Sequence, residues 1–330
     1  MDLEFLQCRA KIIQTLRNFF IERDYLELDT PALAKNLIPE TCLEVFETTY
    51  LQPKNNKTEK FSLYLVPSPE IYIKPLIAQH HISVFQLSKC YRNYESTGKN
   101  HSPEFTMLEY YTMHKNYLDS LKLTEELITK TIETCCDFFQ LEKEAFSYIL
   151  PPYKKLTMNE AFEKYAGISL TKATKEQLIQ KARSLSLVES QENSYENWGW
   201  DDLYELLLVH QVEPQLAKEG AVFLTDYPAQ VPCLAKEKDN TKERWELYIQ
   251  GVEIANCYSE ETSPNEIKTY FQTEGKAKTE KALVPHAIDE NYWLNFETFP
   301  DCSGVALGVD RLIMILLGQK TLNTVLPFPL

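Results

Sequence analysis

The segment His101-Ser-Pro-Glu-Phe-Thr-Met-Leu-Glu-Tyr-Tyr111 constrains this chain more than any other, because one short strand carries several chemically distinct groups. Side chains alternate across a β-strand, so Phe105, Met107, Glu109 and Tyr111 project from one face. A flat aromatic ring, a carboxylate and a phenol in one row suit a platform for a base beside a pocket for an amine. Upstream, Phe85-Gln-Leu-Ser-Lys-Cys-Tyr-Arg92 reads as a second strand, and residues 91–100 as the polar loop joining the two. An arginine leaving a strand beside such a face can grip a phosphate or a carboxylate with its planar fork. Taken singly, each residue also fits a half-buried hairpin carrying a salt bridge. Together they ask for a ligand.

A second hairpin carries two further carboxylates. Residues 245–249 and 252–258 are strand-like runs separated by Gln250-Gly251. A two-residue turn pairs Ile249 with Val252, Tyr248 with Glu253 and Glu246 with Ala255. Glu246 and Glu253 then share a face as diagonal neighbours, roughly 7–8 Å apart at the backbone. At that spacing both can reach one hard cation. Like charges converging there are costly without a metal or a basic partner; two solvated edge-strand glutamates fit the spacing equally well.

Around these hairpins the chain mixes helices and strands. Residues 3–24 read as an amphipathic helix, with Leu6, Ala10, Ile13, Leu16 and Phe20 near helical spacing. Residues 25–30 follow as a strand stopped by Pro31, and residues 51–60 as a polar surface hairpin. A helix starts after Pro69, with Ser68 placed as its cap and Glu70 complementing the dipole in its first turn. Residues 117–140 form another helix. Residues 153–215 look like a helical insertion without a catalytic constellation, and strand character returns at Ala221–Pro228. Strands and helices interleave without regular βαβ spacing, which predicts a mixed antiparallel α+β architecture in one domain spanning 1–330.

Composition narrows the partners. A net charge of −14 argues against an extended nucleic-acid surface and suits a partner that presents a basic loop. The eight cysteines form no CxxC pair, no secretory leader opens the chain and no apolar run spans a bilayer. A cytoplasmic protein with reduced thiols is expected.

Tyr91-Arg-Asn together with His101–Glu109 resembles motif 2 of the class II aminoacyl-tRNA synthetases, in their lysyl branch, and Gly304-Val-Ala-Leu-Gly-Val-Asp-Arg-Leu312 resembles motif 3. The longer run from Pro300 to Leu312 is closer still to smaller relatives in that class, the elongation factor P–(R)-β-lysine ligases. The resemblance covers nearly the whole chain. It implies an antiparallel sheet flanked by helices, ATP and Mg²⁺ as cofactors, and a homodimer built on the first helix. It implies catalytic roles for Arg92 and Arg311, and ATP binding by Arg92, Asn93, Glu95, His101, Phe105, Glu246 and Arg311. Phe105 would stack on adenine, and Arg311 with Mg²⁺ would hold the β- and γ-phosphates. Metal binding falls to Glu246 and Glu253, and substrate binding to Ser68, Glu70, Glu109, Tyr111, Asn256, Glu260 and Ala306. Of these, Glu109, Tyr111 and Glu260 would meet the ε-ammonium of lysine, and Asn256 its carboxylate. Outside the resemblance, Arg311 at the head of an apolar helix also fits a salt bridge with Asp310.

The first helix begins almost at residue 1, which leaves no room before it for the anticodon-binding barrel of lysyl-tRNA synthetases. Ala306 stands where those enzymes have glycine and the β-lysine ligases alanine. Both features favour a ligase that takes (R)-β-lysine or lysine and modifies a lysine of elongation factor P, with tRNA an unlikely partner. A truncated synthetase acting on tRNA or another acceptor and a non-catalytic regulatory paralogue are the competing readings. Three departures stand out: an extra Tyr94 before Glu95, Cys257 where glycine is usual, expected to crowd the pocket floor, and Ser259 where the ligases often carry histidine.

Overall fold

Asp2 caps the first helix, its carboxylate accepting the Glu4 amide at 3.0 Å, and α1 runs from Leu3–Ile21. This is a computed structural model, and it describes residues 2–55, 57–95, 98–187, 189 and 194–329. Two short strands follow, β1 (Leu26–Glu27) and β2 (Leu33–Ala34), then the hairpin β3 (Glu47–Lys54) and β4 (Lys57–Leu65). Helix α2 (Glu70–His80) leads into β5 (Val84–Tyr91), β6 (Glu104–Met113) and the long α3 (Tyr117–Phe139). Next come β7 (Lys154–Thr157) and four helices, α4 (Met158–Tyr165), α5 (Lys175–Ser184), α6 (Trp200–Leu207) and α7 (Glu213–Glu219). The chain closes with β8 (Ala221–Pro228), β9 (Glu237–Lys238), β10 (Thr241–Ile249), β11 (Val252–Ser259), α8 (Pro264–Lys281), β12 (Cys302–Gly308) and α9 (Val309–Leu316).

One large sheet organises these elements, in the order β1-β5-β6-β12-β11-β10-β8-β7 with β9 added on β10. Among the described residues only the two edge pairings, β1 with β5 and β7 with β8, are parallel. Strands β2, β4 and β3 form a separate small sheet. The architecture is α+β, as the interleaved pattern predicted. Alternate residues of the central strands, among them Leu108, Tyr110, Leu247, Cys257, Val305 and Leu307, point to one face and pack under α1, α3 and α9. Trp245 is fully buried there, its indole donating to the Tyr117 carbonyl. Among the described residues the opposite face is covered at its ends. Helices α2 and α8 with residues 292–299 bury Val84, Tyr111 and Cys302 at one end, and the helices between β7 and β8 bury Val222, Leu224 and Tyr248 at the other. Between them the middle of the sheet stays open.

Local details depart from the sequence pattern. The face of α1 that meets the core is Cys8, Ile12, Leu16, Phe19 and Phe20, so Ala10 is exposed, and Leu6 and Ile13 sit at the margin. Of residues 25–30 only Leu26 and Glu27 pair as strand, because Thr30 turns its amide to the Gln86 side chain and Pro31 has no N–H to continue the ladder. Residues 51–60 carry ladder pairing almost to the tip of the β3–β4 hairpin; Asn56 lies outside the described residues. Pro69, not Ser68, occupies the N-cap of α2, although the Ser68 hydroxyl still accepts the Glu70 amide at 3.1 Å.

The β10–β11 turn has Gln250 at φ 52° and Gly251 at φ 78°, the doubly left-handed geometry of a two-residue hairpin. A Cβ added at Gly251 would also meet the Ala217 Cβ at 3.0 Å. Gly251→Ala should therefore lose about 1–2 kcal/mol, read as a lower urea midpoint with an unchanged slope.

Candidate active site

Strand register lines up the candidate residues across five strands of the open face. Gln86 pairs with Glu109, Glu109 with Ala306, Ala306 with Asn256 and Asn256 with Glu246. One step along runs a second row, Val84, Tyr111, Gly304, Tyr258 and Arg244. Adjacent strands lie about 4.8 Å apart, so Glu109 and Glu246 mark the ends of a track roughly 14 Å long. The track exists because of an irregularity in β11. Tyr248 faces Glu253 as the turn predicted, but Leu247 then faces Ala255 and Glu246 faces Asn256, so Ile254 is an extra residue. Such a bulge re-aims every side chain beyond it. Ile254, Ala255 and Cys257 join the core, while Asn256 turns to the open face with Glu246 and Glu253. The expected pairing of Glu246 with Ala255 is corrected by one residue. Cys257 lies on the core side of the sheet and crowds nothing in the pocket. Ser259 also points away, its hydroxyl accepting the Tyr117 amide at 3.0 Å.

One end of the track is built on Glu109, which is 2% exposed. Its carboxylate accepts from the Ser68 hydroxyl and, at 3.0 Å, from Tyr111. Burial first, and the nearby Glu70 second, push its pKa up to about 8. Glu260 is raised to about 7, again chiefly by burial. Lys74 stands between Glu70 and Glu260 with its ammonium 2.7 Å from Glu260 Oε2 and in contact with Glu70 Oε1. Burial works against its charge, but Glu260 and Glu70 hold its pKa well above the usual lysine range. Gly304 floors this end: a Cβ there would sit 2.5 Å from the Tyr111 ring and strike Glu260. Only glycine fits.

At the other end a cavity is lined by Arg92, His101, Phe105, Glu253, Asn256, Ala306 and Arg311, among others. The Arg92 guanidinium lies 5.3 Å from the Phe105 ring centroid, and its buried Nε has no hydrogen-bond partner. Arg311 donates from Nε to the Asn100 carbonyl at 3.1 Å, and from Nη1 to the Glu253 carbonyl at 3.0 Å and carboxylate at 3.1 Å. Its neighbour Asp310 binds Arg9 at 2.6 Å and the Thr106 amide at 2.6 Å instead, so no Asp310–Arg311 bridge forms. The extra Tyr94 is accommodated by looping outward, 79% exposed with φ 55°, which returns Glu95 to the cavity wall beside His101. Ser96 and Thr97 of that loop lie outside the described residues. Burial, and then Arg311, depress the His101 pKa below its ordinary value. Asn93 is not brought into the cavity; its amide donates to the Val45 carbonyl at 3.2 Å.

The two hairpin carboxylates hold separate cations here. Glu246 pairs with Arg244, while Glu253 pairs with Arg311. The helices between β7 and β8, which showed no chemistry in sequence, bring two more carboxylates to this corner. Glu213 accepts from the Tyr248 hydroxyl at 3.0 Å, and Glu205 is raised to about 6 by burial and then by Glu246 and Glu213. Among the described residues no three ligands are arranged as a ready metal site. A pair of carboxylates beside an anion pocket nonetheless fits magnesium, which takes one or two carboxylates and completes its shell with phosphate and water. Sequence reading missed Lys74, Arg244, Glu205 and Glu213. Lys74 carried a signal, since it stands one helical turn after Glu70 at the spacing of an ion pair.

An antiparallel sheet with two arginines over one open face, and a cluster of buried carboxylates beside them, is the arrangement of a class II synthetase catalytic domain. The chain belongs to that family: the model of the class II tRNA synthetases (D, K and N) matches residues 3–330. More particularly, it is 36% identical over 333 aligned positions to the elongation factor P–(R)-β-lysine ligase of Avibacterium paragallinarum, covering 99% of this chain and 95% of that protein. It is 34% identical over 328 positions to the protein of the same name from Proteus mirabilis (strain HI4320), covering 97% and 93%. Among the described residues no helix is long and apolar enough to cross a membrane.

Proposed function

We propose that this chain activates (R)-β-lysine with ATP and transfers the β-lysyl group to a lysine side chain of elongation factor P. The observation that carries the reading is the single row Glu109, Ala306, Asn256 and Glu246, with Arg92 and Arg311 beside it. A diammonium acid fits along it, its distal ammonium at Glu109 and Tyr111, its nearer one at Glu70, its carboxylate by Asn256. That carboxylate attacks the α-phosphorus of ATP, the bond to pyrophosphate breaks, and the adenylate forms. Arg92 neutralises the α-phosphate, Phe105 stacks on adenine, and Arg311 with His101 meets the outgoing phosphates. Glu246 and Glu253 would hold Mg²⁺, which when bound supplies charge neutralisation to the phosphates. The acceptor amine then attacks the acyl carbonyl and AMP leaves with its oxygen. Alignment of the reactants carries much of such a step, so no covalent nucleophile is required.

Ala306 lies between Glu109 and Asn256, where its methyl group bears on the distance between amine and carboxylate. The net charge of −14 favours a basic protein surface over tRNA as acceptor. Exposed Leu3, Ile21 and Leu26 on and beside α1 support a homodimer through that element. ATP–pyrophosphate exchange with (R)-β-lysine and L-lysine side by side tests the activation. Preference for β-lysine, unaffected by tRNA, is expected. Exchange with neither amino acid would remove the ligase reading for these substrates.

A further inference from the structure

Transfer to a protein lysine makes a demand that activation does not: the acceptor arrives as an ammonium ion, and only a neutral amine attacks a carbonyl. We propose that Glu40, in the loop before β3, is the general base of the transfer half-reaction, receiving the acceptor ammonium and taking its proton. The proposal rests on the ligase reading above and deepens it.

Placement carries the assignment. Ile38 packs with Ile73, Tyr111 and Tyr292 near the Glu109 end of the track. Further along, Glu44 pairs with Asn93, next to Arg92, the Asn93 amide donating to the Glu44 carbonyl at 2.9 Å. The residues between them link the buried carboxylates to the phosphate arginine, and Glu40 stands in that link. The reacting carbonyl falls in the same interval, since the nearer ammonium sits at Glu70 and Arg92 meets the α-phosphate. The loop is fixed from α8 and the turn after it. The Thr41 amide and hydroxyl donate to Glu274 at 3.3 and 2.8 Å, the Lys278 ammonium donates to the Leu43 carbonyl, and the Glu44 carboxylate accepts the Val284 amide at 3.2 Å.

Glu40 is also the carboxylate that its surroundings leave without a partner. Glu109 has Ser68 and Tyr111, Glu70 and Glu260 share Lys74, and Glu246 and Glu253 have their arginines. The Glu40 side chain is half-buried and makes no hydrogen bond or ion pair among the described residues. Facing it are Glu70 and Lys74 of α2, Arg92, Tyr258 of β11, Tyr270 and Lys278 of α8, and Cys42 of its own loop. Burial and then Glu70 raise its pKa to about 7, against the pull of Arg92 and the two lysines, which suits a base that works near neutral pH. In the step itself one N–H proton of the acceptor ammonium passes to Glu40, and the freed lone pair attacks the acyl carbon. The bond from that carbon to the phosphate oxygen breaks, AMP leaves with the oxygen, and the nitrogen sheds its second proton to water as the amide forms.

Reading the two half-reactions apart tests the role. Wild type, Glu40→Gln and Glu40→Asp are compared by ATP–pyrophosphate exchange with (R)-β-lysine, and by AMP release from the preformed adenylate on adding elongation factor P or hydroxylamine, at about pH 6 to 9. Hydroxylamine is largely neutral at neutral pH and needs no base, whereas the protein lysine does. Glu40→Gln should slow transfer to elongation factor P about 100-fold near pH 7, with exchange and release by hydroxylamine changed far less. The deficit should shrink toward alkaline pH, where more of the acceptor is already neutral, and Glu40→Asp should keep part of the rate. Transfer by Glu40→Gln at the wild-type rate overturns the assignment. So does an equal loss with hydroxylamine, or a raised KM for β-lysine in exchange, which would make Glu40 a ligand of the amino acid instead. Should Glu40→Gln fail to fold, Glu40→Asp decides: transfer slowed more than exchange supports the base, and the two slowed alike refute it. A wild type that exchanges with neither amino acid, or never transfers to elongation factor P, removes the ligase reading and this role with it, whereas wild-type activity in both steps with unaffected transfer in the variants removes the role alone.

Discussion

Arg311→Ala should lower ATP–pyrophosphate exchange about 1,000-fold, the scale on which an arginine stabilises phosphoryl-transfer charge. The expectation follows from how the side chain is presented. It leaves the first turn of α9, whose Asp310 is locked beneath the sheet by Arg9 and the Thr106 amide. Two of its nitrogens are held by backbone carbonyls of residues 100 and 253, so the planar fork is pre-aimed along the cavity wall before any ligand arrives. Loss of the ion pair with Glu253 is a small matter for folding, because that carboxylate is 40% exposed and such pairs contribute under about 1 kcal/mol. Exchange kinetics and a thermal melt on the same sample therefore separate the two roles. Lysine at the same position should not rescue activity, since a single ammonium cannot reproduce the fork. Activity within tenfold of wild type would show that phosphate charge is met elsewhere.

How much of this site could be read in the sequence depends on how local the physics is. The face shared by Phe105, Met107, Glu109 and Tyr111 follows from strict alternation in an uninterrupted strand, and it is present as read. Alternation fails at Ile254, because a bulge depends on the ladder partner and leaves no mark of its own in composition. That one residue decides whether Asn256 or Cys257 faces the open side of the sheet. Glu205 and Glu213 were invisible for another reason: they reach the site only after the helices between β7 and β8 dock on Val222, Leu224 and Tyr248, the last of which lies on a later strand. Helix α1 was found, but its core face was rotated toward Cys8 and Ile12 by packing against α3, which helical periodicity alone does not specify. Lys74 could have been found from its spacing to Glu70. A lysine in an apolar helix reads as surface until a second carboxylate, Glu260, is brought to it by the fold.

Glu109→Gln should make the protein more stable and nearly inactive with its substrate. Ser68 and Tyr111 donate to different oxygens of Glu109, so a glutamine of the same shape accepts from one hydroxyl through its carbonyl oxygen and donates its NH2 to the other, and it no longer titrates. In the fold Glu109 is raised from 4.5 to about 8, first by burial and then by Glu70. The folded state therefore binds more protons than the unfolded chain between those values, and stability falls as pH rises through the interval. Below the unfolded value the carboxyl is neutral in both states and contributes no penalty. Near neutral pH the penalty is on the order of 3 kcal/mol, and it is complete above the folded value. Wild type and variant should accordingly melt together near pH 4, and the variant should melt several degrees higher at pH 8. The opposite change is expected in function: without an anion for the distal ammonium, kcat/KM for (R)-β-lysine should fall about 100-fold. In the wild type the entering ammonium takes the place of the Glu109 proton, so binding at pH 7 should release close to one proton, measurable by calorimetry in buffers of different ionisation enthalpy. Equal melting temperatures at pH 8, or an unchanged KM, would mean that the charge of Glu109 is satisfied within the protein and that the substrate ammonium is held elsewhere.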